Sequence, residues 1–197
     1  MNINDIQKFG YAELYELEDS SNRKYGRFVG FSYNSPDKIC YSNDINNIIG
    51  VTSINFACLS DHYIEWPGKY VYDQYGESIY QNKTIAAGKE KYDAQLEIAY
   101  IKTYKIDKQE KMICIDKYNK DYQYISRLCR NEWIPVTLLG KCIVEDDGSC
   151  IPGEKCYLYE GDNDGLKGTV TLTFNPNQQG WKVLKRISKN TIMIFIK

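Results

Sequence analysis

Between Ile134 and Ile196 the chain is a succession of short apolar runs, each stopped by turn-forming residues. Ile134–Leu139, Lys141–Glu145, Lys155–Tyr159, Gly168–Phe174, Gly180–Ile187 and Thr191–Ile196 read as strands, rich in β-branched and aromatic side chains. Between them stand Gly140, Asp146-Asp147-Gly148, Gly161-Asp162-Asn163-Asp164-Gly165, Asn175-Pro176-Asn177 and Ser188-Lys189-Asn190, which supply the backbone freedom and side-chain acceptors that turns need. Runs this short cannot bury a helical stripe, but they can pair. The expected fold class is mainly β: a single-domain barrel or sandwich of short antiparallel strands. A closed or nearly closed barrel is favoured because closure removes exposed edges.

The same grammar extends toward the amino terminus. Arg27–Phe31, Lys38–Tyr41 and Ile48–Ser53 read as strands, and Gly50 marks a bulge or a close backbone approach. Val71–Gly76 reads as a strand ending in a turn. Residues 81–131 are rich in Lys, Asp, Gln and Tyr and are the least regular part. Strands around Leu96–Lys105 and Lys111–Asp116 are expected there, as a projecting hairpin inserted into the domain, with room for one or two short helices. At the start lies Tyr11-Ala12-Glu13-Leu14-Tyr15-Glu16-Leu17-Glu18-Asp19. Read as a strand, it puts Tyr11, Glu13, Tyr15 and Leu17 on one face and Ala12, Leu14, Glu16 and Glu18 on the other. Glu13 is the only charge among apolar neighbours on its face. Were that face buried, Glu13 would lose hydration and lean toward the neutral form that acid–base chemistry uses, but the pattern by itself favours an edge strand with solvated glutamates.

Composition removes several classes of function. With 197 residues the chain can bury a core without staples. Its 25 basic and 26 acidic residues give a net charge of −1, so nothing supports nucleic-acid binding. The longest apolar run, Thr191–Ile196, is far too short to span a bilayer, so no membrane partner is expected, and the polar start does not resemble a signal peptide. The seven cysteines, at 40, 58, 114, 129, 142, 150 and 156, include no CxxC and have no histidine cluster beside them. Reduced, mostly buried thiols from a reducing compartment are expected, with no metal and no cofactor. The single histidine, His62, follows Ser60 and Asp61, but neighbours in an extended chain point to opposite faces and do not make a relay. No nucleophile elbow, zinc helix or phosphate loop is present. Paired carboxylates remain, at Glu13 and Glu16 or at Asp146 and Asp147, and the second pair reads as turn chemistry.

Five blocks, in order, resemble one family. They are Tyr11-Ala12-Glu13 with Glu16; Ile49–Ser53 followed by Trp66, Lys69-Tyr70 and Asp73; Tyr124, Arg127, Arg130 and Glu132-Trp133; Leu139-Gly140-Lys141 with Val144, Asp146-Asp147-Gly148 and Cys150; and Gly180–Ser188 with Phe195-Ile196-Lys197. The chain is similar to the peptidase G2, or intramolecular-chaperone autoproteolytic, domain at the carboxy terminus of phage neck-appendage and tail-spike proteins. The resemblance implies a leader at 1–10, a peptidase G2-like domain at 11–197 and an insertion-bearing segment at 81–131. It also implies a domain that helps a fibrous chain trimerise and then cuts itself free with an aspartate three residues before a glutamate. The glutamate carries over to Glu13, whereas the aspartate position is Gly10. Hydrolysis by carboxyls needs one group to activate the nucleophile and one to protonate the leaving group. Asp5 is further upstream, and Glu16 faces away on a strand. With only nine residues ahead of Gly10, a cleavage-deficient relative is expected. The expected function is a non-enzymatic virion, capsid- or fibre-associated assembly module, made in host cytoplasm. It would be a homotrimer, or bound to other virion proteins, with Trp66, Tyr70, Tyr72, Arg127, Arg130 and Trp133 as interface candidates. The alternative is an active self-cleaving peptidase that cuts near residues 8–11 using Glu13.

Overall fold

The computed structural model describes residues 8–62, 66, 68–93, 98–113, 119, 121–161 and 163–197, the side chains of 83–107 excepted. The chain divides into two compact units. One comprises residues 1–63 and 125–197, the other 64–124.

The first unit is built on one long strand. Trp-Ile-Pro-Val-Thr-Leu-Leu-Gly-Lys-Cys-Ile-Val-Glu is dense in β-branched and aliphatic side chains and runs unbroken from Trp133 to Glu145, where the sequence suggests two strands flanking Gly140. Numbered in chain order, the strands are β1 (Tyr11–Glu16), β2 (Phe28–Phe31), β3 (Ile39–Tyr41), β4 (Ile48–Thr52), β5 (Cys58–Ser60), β6 (Tyr80–Asp93), β7 (Ile98–Lys111), β8 (Trp133–Glu145), β9 (Lys155–Leu158), β10 (Val170–Thr171), β11 (Trp181–Ser188) and β12 (Thr191–Ile196). The first half of β8 pairs antiparallel with β1, and its second half with β12. Thr137 and Val136 also meet Val51 and Thr52 of β4. The sheet path is β10-β9-β11-β12-β8-β4-β2-β3, with β5 running parallel to β1. The fold is mainly β, with a large curled antiparallel sheet in half-barrel form.

Alternation puts neighbouring residues of one strand into different cores. On β2, Phe28 packs with Val51, Cys142, Val144, Leu158, Val170, Val183, Ile192 and Ile194, while Val29 packs with Leu17, Ile39, Ile134 and Val136. The Phe28 and Trp181 rings lie 4.4 Å apart, centre to centre. Each fully buried Val, Leu, Ile or Phe contributes about 1.5–3 kcal/mol of transfer free energy.

Two expected strands are shorter than their apolar content suggests, because side chains replace the ladder. In place of Gly168–Phe174, only Val170–Thr171 pairs. Asn43 accepts from the Gly168 amide at 2.6 Å, Ser149 from Leu172 at 2.8 Å, and Thr171 from Thr173 at 3.2 Å. In place of Val71–Gly76 there are isolated bridges at Tyr70 and Tyr72, because the Asp73 carboxylate accepts from the amides of Tyr75 and Glu77 and bends the chain.

The second unit carries a hairpin, but not between the two strands read from sequence. Its strands, β6 and β7, run from the Tyr80–Lys111 pair to the Asp93–Ile98 pair, so the stretch between the expected strands lies inside β7, and its partner β6 precedes both of them. Alternation alone fixes neither where a strand ends nor which strand it pairs with. The outer part of the expected Lys111–Asp116 strand lies outside the described residues.

Six free thiols are described. Cys142, Cys150 and Cys156 are buried, whereas Cys58 and Cys129 are exposed. Burial pushes the Cys142 thiol well up, and the Cys156 thiol together with burial does the same to Cys150. A thiol-reactive dye should therefore label Cys58 and Cys129 in the native protein and reach these three only on unfolding. Fast labelling of Cys142 in the folded chain would contradict the buried core.

Candidate functional site

The site begins at a backbone crossing. Gly10 has φ +83° and Gly140 φ +103°, a region that residues with a Cβ avoid. A Cβ on Gly140 would lie 2.8 Å from the Gly10 Cα, and one on Gly10 would lie 2.9 Å from the Lys141 carbonyl oxygen and 3.0 Å from that of Leu139. The two glycines let β1 meet β8 backbone to backbone. The register steps there, with Tyr11 opposite Leu139 but Ala12 opposite Thr137.

From that bulge β1 alternates regularly. Ala12 and Leu14 are buried, at 0% and 2% exposure, while Tyr11, Glu13 and Tyr15 are half-exposed. Glu13 therefore stands on the more solvated face, as the edge-strand reading expects, and the buried face is the other one. What surrounds Glu13 is hydroxyls. Tyr11 donates to Oε1 through a short bond and Tyr15 to Oε2 at 3.2 Å. The negative charge acts back on its donors. Its bond to Glu13 raises the Tyr11 hydroxyl's pKa, against a smaller opposing bond with Ser60. Burial first, then Glu13 and more weakly Asp61, push Tyr15 up to about 12 from an ordinary 10.0. Glu16 faces away, as expected, and pairs with Lys38 at 2.7 Å.

The raised Tyr15 makes a sign-definite prediction. The fold holds this proton more tightly than the unfolded chain does, so stability is intact below pH 10 and declines as pH rises from 10 to about 12. Thermal melts of wild type and Tyr15→Phe across that window check it. The decline should be shallower in the variant, and identical slopes would contradict the assignment.

The parallel β5 sets Ser60 opposite Glu13. The next residue, Asp61, has φ +57°, the one described non-glycine residue with a positive φ. Such a backbone costs about 1 kcal/mol or more and needs support from its surroundings. The support is Arg127, whose guanidinium binds the Asp61 carboxylate and lies 3.9 Å from the Trp133 ring centre. Arg130 covers the same ring at 5.5 Å and pairs with Glu132 at 3.4 Å. Glu13, Leu59, Ser60, Asp61 and His62 together line an open cleft of about 530 Å³.

Sequence reasoning found Glu13 but not its company. In the sequence Asp61 stands out only as the neighbour of Ser60 and His62, which in an extended chain do not make a relay. Its nearness to Glu13 depends on the β1–β5 pairing, for which no local pattern exists. The interface candidates divide between the two units. In the second unit, Trp66 packs on Tyr122 and Tyr124 at 5.8 and 6.0 Å, Tyr70 lies beneath Lys69 and Lys111, and Tyr72 is exposed. In the first unit, Arg127, Arg130 and Trp133 form the stack beside the cleft.

Away from the cleft, Asp147 accepts from the Ser149 amide and hydroxyl, as turn chemistry requires. Asp146 does more. Its side chain is wholly buried and receives Arg186 at 3.2 and 2.7 Å and the Cys150 amide at 3.2 Å. Asp146, Asp147 and Cys150 bring carboxylate and thiol atoms within 4.8 Å of one another. The Arg186 pair already accounts for the inner carboxylate.

A family model described as "Peptidase_G2, IMC autoproteolytic cleavage domain" matches residues 3–175. The chain belongs to this family. The peptidase G2 domain described here is 26% identical over 189 residues to the phage-related protein YobO of Bacillus subtilis strain 168, covering 92% of this chain and 19% of that protein. It therefore spans about one fifth of this curated relative. Among solved structures it is similar to the C-terminal fragment of bacteriophage phi29 gene product 12, with a TM-score of 0.64 and 20% identity over 95% of this chain and 99% of that one. It is also similar to the pre-mature form of the same gene product, with a TM-score of 0.65 and 20% identity over 96% of this chain and 21% of that one. At this identity the likeness speaks for the fold. Among the described residues no helix is long and apolar enough to cross a membrane.

Proposed function

We propose that this peptidase G2 domain is a virion assembly module of a phage-type appendage or fibre protein. In this reading it is made in host cytoplasm and works as a homotrimer, alone or against other virion proteins. Membership of a family of appendage-associated autoproteolytic domains supports the coarse reading. The observation that carries the finer one is Gly10. Where the family pattern has an aspartate, the backbone is left-handed and a side chain would collide with two carbonyl oxygens, so the signature acid pair is incomplete. What the domain keeps is the scaffold around that position. Light scattering at tens of micromolar tests this: a trimer is expected, and a clean monomer would sink the proposal.

A second reading is favoured by one observation, the presence of another carboxylate, Asp61, in the cleft with Glu13. In that reading the chain cuts itself near residues 8–11 using Glu13. Intact mass separates the two, since a single uncut 22.9 kDa species ends the second.

A further inference from the structure

We propose that copies of this domain meet head to tail, with Phe174 of one copy entering a lysine-rimmed aromatic cleft, built around Trp181 and Phe195, on the next. This rests on the assembly reading above and names the two surfaces that a homotrimer would use.

A threefold ring sets a condition that a twofold dimer does not. Two copies on a twofold axis meet through one self-complementary patch. Three copies around an axis need two different patches on every copy, each fitted to the other. The first unit carries such a pair.

One patch is a cleft of about 530 Å³ where the start of β11, the start of β9 and the end of β12 come together. Trp181, Phe195 and Ile45 give it apolar walls, and Lys155, Lys182 and Lys197 give it charge. Among the described residues that line it, none is acidic. The Trp181 ring is backed by Phe28, 4.4 Å away centre to centre, so this wall is fixed before anything binds. Phe195 is 43% exposed. Lys155 stands directly opposite Lys182 across β9 and β11. Like charges so placed repel, and the group that answers Lys155 is neutral, the Gln179 carbonyl at 3.1 Å. Such a cleft suits an aromatic side chain that brings carboxylates with it.

The other patch has that chemistry. Phe174 is 70% exposed and stands edge-on to Tyr157, with ring centres 5.4 Å apart. It borders a hollow whose charges are Asp147 and Glu160, and among the described residues that line this hollow none is basic. Both acids are bonded to neutral groups. The Gln178 amide donates to Glu160 at 2.9 Å, and the Ser149 amide donates to Asp147 at 2.9 Å. A projecting ring flanked by acids on one face thus matches an aromatic cleft rimmed by lysines on another.

Light scattering of the purified chain over a concentration series tests the contact. The wild type should be a trimer. Phe174→Ala, Lys182→Glu and Glu160→Lys should each raise the concentration at which trimers give way to monomers by about 30-fold or more, the weight of a residue that anchors an interface. Lys182→Glu and Glu160→Lys combined in one chain should recover most of that loss, because every copy then offers the reversed pair to the next. An unchanged circular-dichroism spectrum shows that a variant is folded. Should a charge variant fail to fold, Phe174→Ala decides, since its side chain stands largely outside the core: a weakened trimer supports the contact and an unchanged one overturns it. A wild-type monomer overturns both this contact and the assembly reading beneath it, and so does a twofold dimer. A wild-type trimer that none of the single changes weakens overturns the contact alone, as does a loss that the double reversal leaves in place.

Discussion

Arg186→Met should destabilise the domain by about 3–5 kcal/mol, the range for breaking a buried ion pair by removing one partner. Asp146 has no solvent-exposed side-chain surface, and both its oxygens depend on Arg186 or the Cys150 amide. Removing the guanidinium leaves a carboxylate in the protein interior with a single amide donor. Arg186 also donates to the carbonyls of Cys150, Ser188 and Lys189, so it ties the loop after β8 to the turn between β11 and β12. Its pKa is raised chiefly by the bond to Asp146, as a cation in such a pair should show. For a chain of this length the loss corresponds to a melting temperature lower by about 6–20 °C. Adding Asp146→Leu should recover much of it, because an apolar replacement of the whole pair removes the stranded charge. A single variant that melts within a degree or two of wild type would show that Asp146 is solvated after all.

Gly10→Asp, which places at position 10 the aspartate that the resemblance to the family implies, should cost about 2–5 kcal/mol and should not create a cutting pair. A left-handed backbone costs a residue with a Cβ about 1–2 kcal/mol. The Cβ would also sit 2.9 Å from the Lys141 oxygen, 3.0 Å from the Leu139 oxygen and 3.0 Å from the Thr137 methyl, and overpacking of this kind adds about 1–3 kcal/mol. Gly10→Ala should lose a similar amount, since the Cβ rather than the carboxyl carries the cost. Thermal melts and intact masses of both variants check this. A stable Gly10→Asp chain that cuts itself would mean that the start of β1 can adopt a different path and that position 10 can carry a working acid.

These two positions show where sequence was informative and where it was not. Glu13 could be singled out because a charge alternating with tyrosines is a local pattern, and the strands that border it are local patterns too. The buried face could not be chosen, since Ala12 and Leu14 alternate as well as Tyr11 and Tyr15 do, and only pairing with β8 decides which set turns inward. Asp146 looked like an ordinary turn residue because its partner lies 40 positions away. Asp61 was hidden for the same reason, with its neighbours supplied by β1 and by Arg127, 66 residues downstream. Gly140 read as a turn because glycine breaks strands, and it is instead the place where β8 lets another backbone come close. Mainly-β architecture was legible from spacing, but which strands form the second unit's hairpin was not.

The pairing of β1 with β8 has a consequence for how the chain is made. Glu16 waits for Trp133, so during synthesis the one strand partner that reaches β1 early is the short β5, and the long edge of β8 arrives only after more than a hundred further residues have left the ribosome. At about 5–20 residues per second that delay is on the order of 5–25 s. Through it, Ala12 and Leu14 stay available to chaperones or to the same strand on neighbouring nascent chains. Limited proteolysis of stalled chains should find β1 cleavable until residue 145 has emerged, and early protection would show that some other surface shelters it first.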